Sequence, residues 1–348
     1  MSTDQKDSSI RPMVRYALGS TLLMGLAIGL AWNLAYITPV LALGFFAPGS
    51  TIPKFREGAA FVGIIATTTL LGFLFTKYLL DYKILFIILL GLVLLAIFYT
   101  NRLGPKPKVF MLISLLILPM LAFQDLAIAH AFTRTFIVGA AITIVLVWVI
   151  YSIFPDPSEP AKSMAEKSAP KAATSPEQRF RYALETLILV FPVVMIFFFF
   201  EWMGGMIILI FITLLSMQPT FNYKAGKAMI LGNLLGGIFA IVAYELLVMV
   251  PIYLFFILMV LSTSLYFATR LFSSIPKAPL FGMGFSTFLL IMGQSTTGTD
   301  DAGGKVWMRV IMIMIAVIYV VTAFAIMEAY KTRKKSKLQN SQTKPSLA

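Results

Sequence analysis

Two groups of polar side chains stand where long apolar runs end. The first, Gln124, Asp125, His130 and Arg134, lies in "LPMLAFQDLAIAHAFTR" (118–134); the second, Gln294, Asp300, Asp301, Lys305 and Arg309, lies in "LLIMGQSTTGTDDAGGKVWMR" (289–309). A carboxylate at the mouth of a membrane pathway can carry protons when desolvation raises its pKa toward neutrality, and an imidazole already titrates near that range. Asp125, His130, Asp300 and Asp301 are therefore the candidates for proton coupling. Arg134 and Arg309 are the candidates for guiding an anion outward, with Gln124 and Gln294 on the same path. The competing reading is a solvated loop with ordinary charges, and it is favoured for Asp300 and Asp301. "TTGTDDAGG" lacks the spacing of an EF-hand, so no metal site is expected there.

The tetrapeptide Arg-Tyr-Ala-Leu occurs at 15–18 and again at 181–184. Arg15 and Arg181 could draw a carboxylate into a vestibule, with Tyr16 and Tyr182 stacking on its ring. Both arginines fall in the first turns of their helices, which favours snorkelling to lipid phosphates beside an aromatic belt. Glu185 follows Arg181 at i,i+4, the spacing of a structural ion pair. Pro39, Pro48 and Pro219 interrupt two short apolar segments. Short or broken segments at corresponding places in two halves point to a transport site, and packing kinks are the equal alternative.

Several chemistries are excluded. There is no cysteine and one histidine, which removes thiolate metal sites, thiol nucleophiles and His-based clusters. No Walker A, GxSxG, HExxH or dinucleotide fingerprint occurs. Neither an enzyme nor a bound cofactor or metal is expected. The net charge of +13 sits in short loops and in the tail "KTRKKSK" (331–337), a pattern of topology determinants and lipid contacts rather than of nucleic-acid binding.

The elements that hold these residues follow from composition. Of 348 residues, 59% are hydrophobic and 12% charged, and mean hydropathy is +0.89. A soluble domain carries about 25% charged residues, so this chain belongs in lipid. About 20 apolar residues span the hydrocarbon core. Twelve such segments are expected, at 13–32, 33–49, 58–79, 83–100, 108–124, 133–154, 180–200, 203–219, 226–247, 250–270, 278–294 and 305–329. With both termini in the cytoplasm, only Lys77, Lys83, Arg134, Lys305 and Arg309 of the 28 Lys and Arg fall outside, as the positive-inside rule requires.

"PDPSEPAKSMAEKSAPKAATSPEQ" (155–178) has no apolar period and reads as a flexible cytoplasmic linker. It divides the chain into a first membrane half (1–154), the linker, a second half (179–330) and a basic tail (331–348). Six spans per half give two parallel repeats. The repeated tetrapeptide, a Pro and a basic Gly-spaced helix after each second span, and a Gln near the end of each fifth support a duplication. The fold class is all-α: a polytopic membrane protein.

The openings "VRYAL" and "FRYAL", the hairpin "WNLAYITPVLALGFFAP" (32–48) and the Gly-spaced helices "PKFREGAAFVG" (53–63) and "YKAGKAMILGNLLGG" (223–237) resemble the fusaric acid resistance and aromatic acid exporter superfamily. The nearest likeness is to a short, functionally uncharacterised bacterial branch, and it spans nearly the whole chain. The resemblance implies an inner-membrane exporter of small amphipathic anions such as aromatic carboxylates. It also implies a periplasmic adaptor of the membrane-fusion type as partner. Larger exporters of the family carry a cytoplasmic domain where this chain has only its linker. Proton coupling follows by exclusion of ATP motifs. A passive anion channel and a non-transporting scaffold for an adaptor are the alternatives, and self-association into a homo-oligomer stays open.

Overall fold

The computed structural model describes residues 3–32, 36–100, 105–155, 175–200, 223–275 and 277–296, with single residues between 307 and 326. Among these residues the fold is all-helical. Ten helices are described: α1 (Thr3–Gly29), α2 (Ile37–Phe46), α3 (Phe55–Leu79), α4 (Lys83–Tyr99), α5 (Pro105–Gln124), α6 (Leu126–Ile153), α7 (Pro176–Phe200), α8 (Tyr223–Met249), α9 (Tyr253–Leu271) and α10 (Ala278–Thr296). The expected span 203–219 and the linker residues 156–174 lie outside the described residues, and the span 305–329 is described only at isolated positions.

Composition explains why these segments are helices that want lipid. On α4, Phe86, Leu90 and Leu94 recur every four residues and are fully buried, yet Ile84, Ile88 and Leu92 on the other face are 80%, 55% and 57% exposed. A helix that is apolar all round is stable only with an apolar phase on both sides. Four stretches among the described residues, 55–79, 126–153, 231–249 and 253–271, are long and apolar enough to cross a membrane. The chain is a helical protein of membrane character.

Local chemistry sets the helix ends. Glu57 accepts from the Lys54 backbone N–H at 3.1 Å, and its own N–H donates to the Lys54 carbonyl at 2.9 Å, which closes the start of α3. Asp125 is the single residue between α5 and α6; its carboxylate accepts from Ala127 N–H at 2.8 Å and caps α6. The sequence placed a longer polar loop here, because Asp125, His130 and Arg134 interrupt the hydropathy. In fact α6 begins seven residues before the expected 133. The C-terminus of α1 closes with Trp32 N–H to Ala27 O and Ala31 N–H to Ile28 O, both at 2.9 Å, a Schellman arrangement that puts Ala31 at φ 49°.

Pro39 and Pro48 bracket α2 rather than break it. Pro39 sits in the first turn, where its absent N–H removes no intrahelical bond, and Pro48 follows the cap residue Ala47. The prolines that do lie inside described helices are Pro12 in α1, Pro119 in α5 and Pro192 in α7.

The helices pack as a connected set of pairs. α3 runs along α5 and α6, α8 runs along α10, α1 packs on α2 and α9, and α4 packs on α7; α2 also rests on α6 and reaches α10. Buried hydroxyls are satisfied mostly by the preceding turn, as Ser20 donates to Tyr16 O at 2.7 Å and Thr76 to Gly72 O at 2.8 Å. Others cross helices: Ser114 (α5) donates to Thr69 (α3) at 3.2 Å, Thr287 (α10) to the Asn233 amide oxygen (α8) at 2.6 Å, and Thr21 (α1) pairs with Ser264 (α9) at 3.0 Å. Such contacts hold apolar helices together where no hydrophobic force acts between them.

Backbones approach closely at α8–α10. Gly232 and Gly236 form a GxxxG face, and a Cβ at Gly236 would collide with the Gly284 carbonyl, while one at Gly284 would lie 2.9 Å from Gly232 O.

Candidate functional site

Between α2, α5, α6, α8 and α10 lies a cavity of about 600 Å³, within the range of sites that take a small molecule. Its first wall is apolar. From α2 come Ile37, Val40, Leu41 and Gly44; from α5, Phe110, Ile113 and Ile117; from α6, Phe132 and Phe136. Each set follows the three-to-four-residue spacing of one helix face. The rings continue behind the wall: Phe45–Phe61, Phe61–Phe110 and Phe110–Phe136 contact edge-on at 5.1, 5.6 and 6.2 Å, and Phe132 stacks on Phe136 at 5.6 Å.

The α8 and α10 residues of the lining carry most of its polar groups. Met283, Ser286, Thr287, Leu290 and Gln294 are successive positions of one α10 face, and Asn233 joins them from α8. Asn233 is 5% exposed, and its side-chain oxygen is held by Thr287. A buried amide in a membrane-type helix is stable only when hydrogen-bonded, and Thr287 supplies that bond. Tyr16 lines the cavity from α1, its ring 5.8 Å from Phe272 and 5.6 Å from Phe285. Tyr36 lines it next to Gly293, where an added Cβ would strike the tyrosine Cβ. All the described residues that line the cavity are uncharged.

Of the residues singled out from sequence, Pro48 and Gln294 line this cavity. Pro39 is buried in α2 beside it. Gln124 and Asp125 sit at the α5–α6 junction and His130 and Arg134 along the first turns of α6, all exposed and none on the lining. The His130 ring lies 5.7 Å from Phe73. Pro219, Asp300, Asp301 and Arg309, with Lys305, lie outside the described residues.

The two arginines of the repeated tetrapeptide part company. Arg181 is 67% exposed at the side chain and pairs with Glu185 at 3.4 Å. Arg15 is 1% exposed; its guanidinium lies 3.8 Å over the Tyr151 ring and donates to Phe154 O at 3.2 Å. Snorkelling does not describe Arg15, because the end of α6 covers it and offers it a carbonyl and a ring.

Sequence reasoning passed over Asn233, Thr287 and the phenylalanine wall. A lone amide inside the apolar stretch "MILGNLLGGIFA" was the available signal for Asn233. With 30 phenylalanines in the chain, nothing local marks the three that face the cavity.

No family model matches the chain, and neither a curated protein nor a solved structure matches it.

Proposed function

We propose that this protein is an inner-membrane exporter of small amphipathic aromatic compounds, aromatic carboxylates among them, built from two parallel six-helix halves with both ends in the cytoplasm. The observation that carries this reading is the cavity: residues of both halves line it, mostly apolar from the first, with the amides and Ser/Thr hydroxyls from the second. A site at the interface between repeats is where transporters hold their substrates.

The helix pairings support the duplication. The first helix of each half packs on the fourth span of the other, α1 on α9 and α7 on α4, and the third and fifth spans pair within each half, α3 with α5 and α8 with α10. Reciprocal pairing of this kind is what a twofold relation between two six-helix units generates. The ten described helices overlap ten of the twelve expected spans. The family resemblance supplies the direction of transport and a periplasmic adaptor as partner; the proton gradient as energy source follows from the exclusion of ATP motifs.

The test is flux in proteoliposomes and everted vesicles, with labelled 2-naphthoate and 2-naphthamide as probes. An exporter gives saturable, protein-dependent initial rates for at least one of them, and uphill movement that a protonophore collapses. A conductance that simply follows voltage would mark a channel. No saturable flux of either probe sinks the transport reading.

A further inference from the structure

The two walls of the cavity differ in a way that selects a ligand's form as well as its size. The α2–α5–α6 wall offers aliphatic groups and the rings of Phe110, Phe132 and Phe136. These rings contact one another edge-on or stacked at 5.6 and 6.2 Å, and they leave an aromatic guest an apolar surface on which to lie. The α8–α10 wall offers amides and hydroxyls: Asn233, Ser286, Thr287 and Gln294.

Neutral donors and acceptors of this kind match a carbonyl, amide or hydroxyl head. An ionised carboxylate placed among them would give up its hydration without gaining a cation among the described lining residues, a far larger cost than burying a neutral polar group that is hydrogen-bonded. Arg15, next in sequence to the lining residue Tyr16, is engaged with Tyr151 and Phe154 on α6.

We propose that the cavity binds small aromatic amphiphiles in uncharged form, ring against the Phe110–Phe132–Phe136 wall and head against the α8–α10 wall, with Asn233 determining specificity for the head. This rests on the transport reading above and narrows it: an aromatic acid occupies the cavity as the protonated molecule, and uncharged amides and phenols are ligands in their own right. Asn233 is suited to the role because Thr287 fixes its oxygen at 2.6 Å, which sets the side-chain rotamer and the direction of its N–H donors.

The test uses the full-length protein in nanodiscs, with equilibrium dialysis of labelled 2-naphthamide and 2-naphthoate at pH 8 and empty nanodiscs as the blank. Naphthamide should bind saturably, and naphthoate at least tenfold more weakly. Asn233→Leu should weaken naphthamide at least fivefold. Asn233 also braces α8 against α10, so Gly44→Phe provides an independent variant. Gly44 lines the cavity, and a Cβ added there meets nothing within 4 Å; the phenyl ring should abolish saturable binding while the unfolding temperature stays put. Naphthoate binding as tightly as naphthamide overturns the proposal, as does naphthamide binding unchanged in both variants. Saturable naphthoate flux with a KM indifferent to both variants leaves transport standing and removes this inference. No saturable binding and no flux of either probe removes both.

Discussion

The Arg15 guanidinium lies 3.8 Å above the ring of Tyr151, 136 positions away in the chain, and both side chains are almost fully buried. Arg15 also donates to the Phe154 carbonyl beyond the last turn of α6, so a fixed cation meets the negative end of a helix dipole. Tyr151 in turn donates to Phe45 O at 2.7 Å. Arg15, midway along α1 rather than in its first turn, thereby ties that helix to the end of α6, and Tyr151 carries the tie on to the end of α2.

Removing that tie should be costly where removing its counterpart is not. Arg15→Met loses a cation–π contact and a charge-assisted hydrogen bond in a buried setting, and should destabilise the protein by about 2–3 kcal/mol. Arg181→Met gives up only an exposed i,i+4 pair and should shift stability by less than about 0.5 kcal/mol. Thermal unfolding of the two variants in the same detergent decides; equal effects would show that the tie contributes nothing.

Ala31 holds a left-handed conformation, φ 49°, at the end of α1. Its Cβ is strained there by about 1 kcal/mol, and glycine removes the strain. Ala31→Gly should raise the unfolding temperature, against the usual penalty for introducing glycine, which is about 0.5–1 kcal/mol in a helix interior. A fall would mean that the turn does not require this conformation.

Glycines in two helices should respond oppositely. Gly236→Ala forces a methyl group into the Gly284 carbonyl and should cost about 1–3 kcal/mol by overpacking. Gly63 in α3 has nothing within 4 Å of an added Cβ, so Gly63→Ala should be neutral or gain up to about 1 kcal/mol in helix propensity. Unfolding yields for both, compared with the parent, would expose any error in the α8–α10 approach.

Asp125 separates its two candidate roles by substitution. As the cap of α6, it should tolerate Asn and not Ala: Asp125→Ala costs about 1 kcal/mol and Asp125→Asn much less. Proton transfer would show the reverse sensitivity, with Asn abolishing uphill flux as completely as Ala. Measuring stability and flux on the same two proteins distinguishes a cap from a carrier.

The helices were legible in the sequence because hydropathy reports burial in an apolar phase directly. α4 was expected at 83–100 and spans Lys83–Tyr99; α10 was expected at 278–294 and spans Ala278–Thr296. The start of α6 was not, since His130 and Arg134 lower the local hydropathy while doing nothing to the backbone, and one aspartate suffices as the break. The site was half legible. Gln294 and Pro48 stood out as polar or ring-constrained residues in apolar runs, whereas Asn233 was hidden among glycines that drew attention to packing. The tetrapeptide at 15–18 and 181–184 showed the limit most clearly. Identical words acquire different environments, because α6 ends over Arg15 while Glu185 meets Arg181 in solvent.

The glycine contact between α8 and α10 also constrains how the molecule can move. With the Gly284 carbonyl seated against Gly236, neither helix can ratchet past the other by a residue without backbone striking backbone. The two therefore travel as one plate. On the far side of that plate lies the cavity, and beyond it α2, a ten-residue helix bounded by prolines that touches α10 through Tyr36 and Gly293. Under the transport reading, any movement of α2 away from that pair has to part the Tyr36–Gly293 contact.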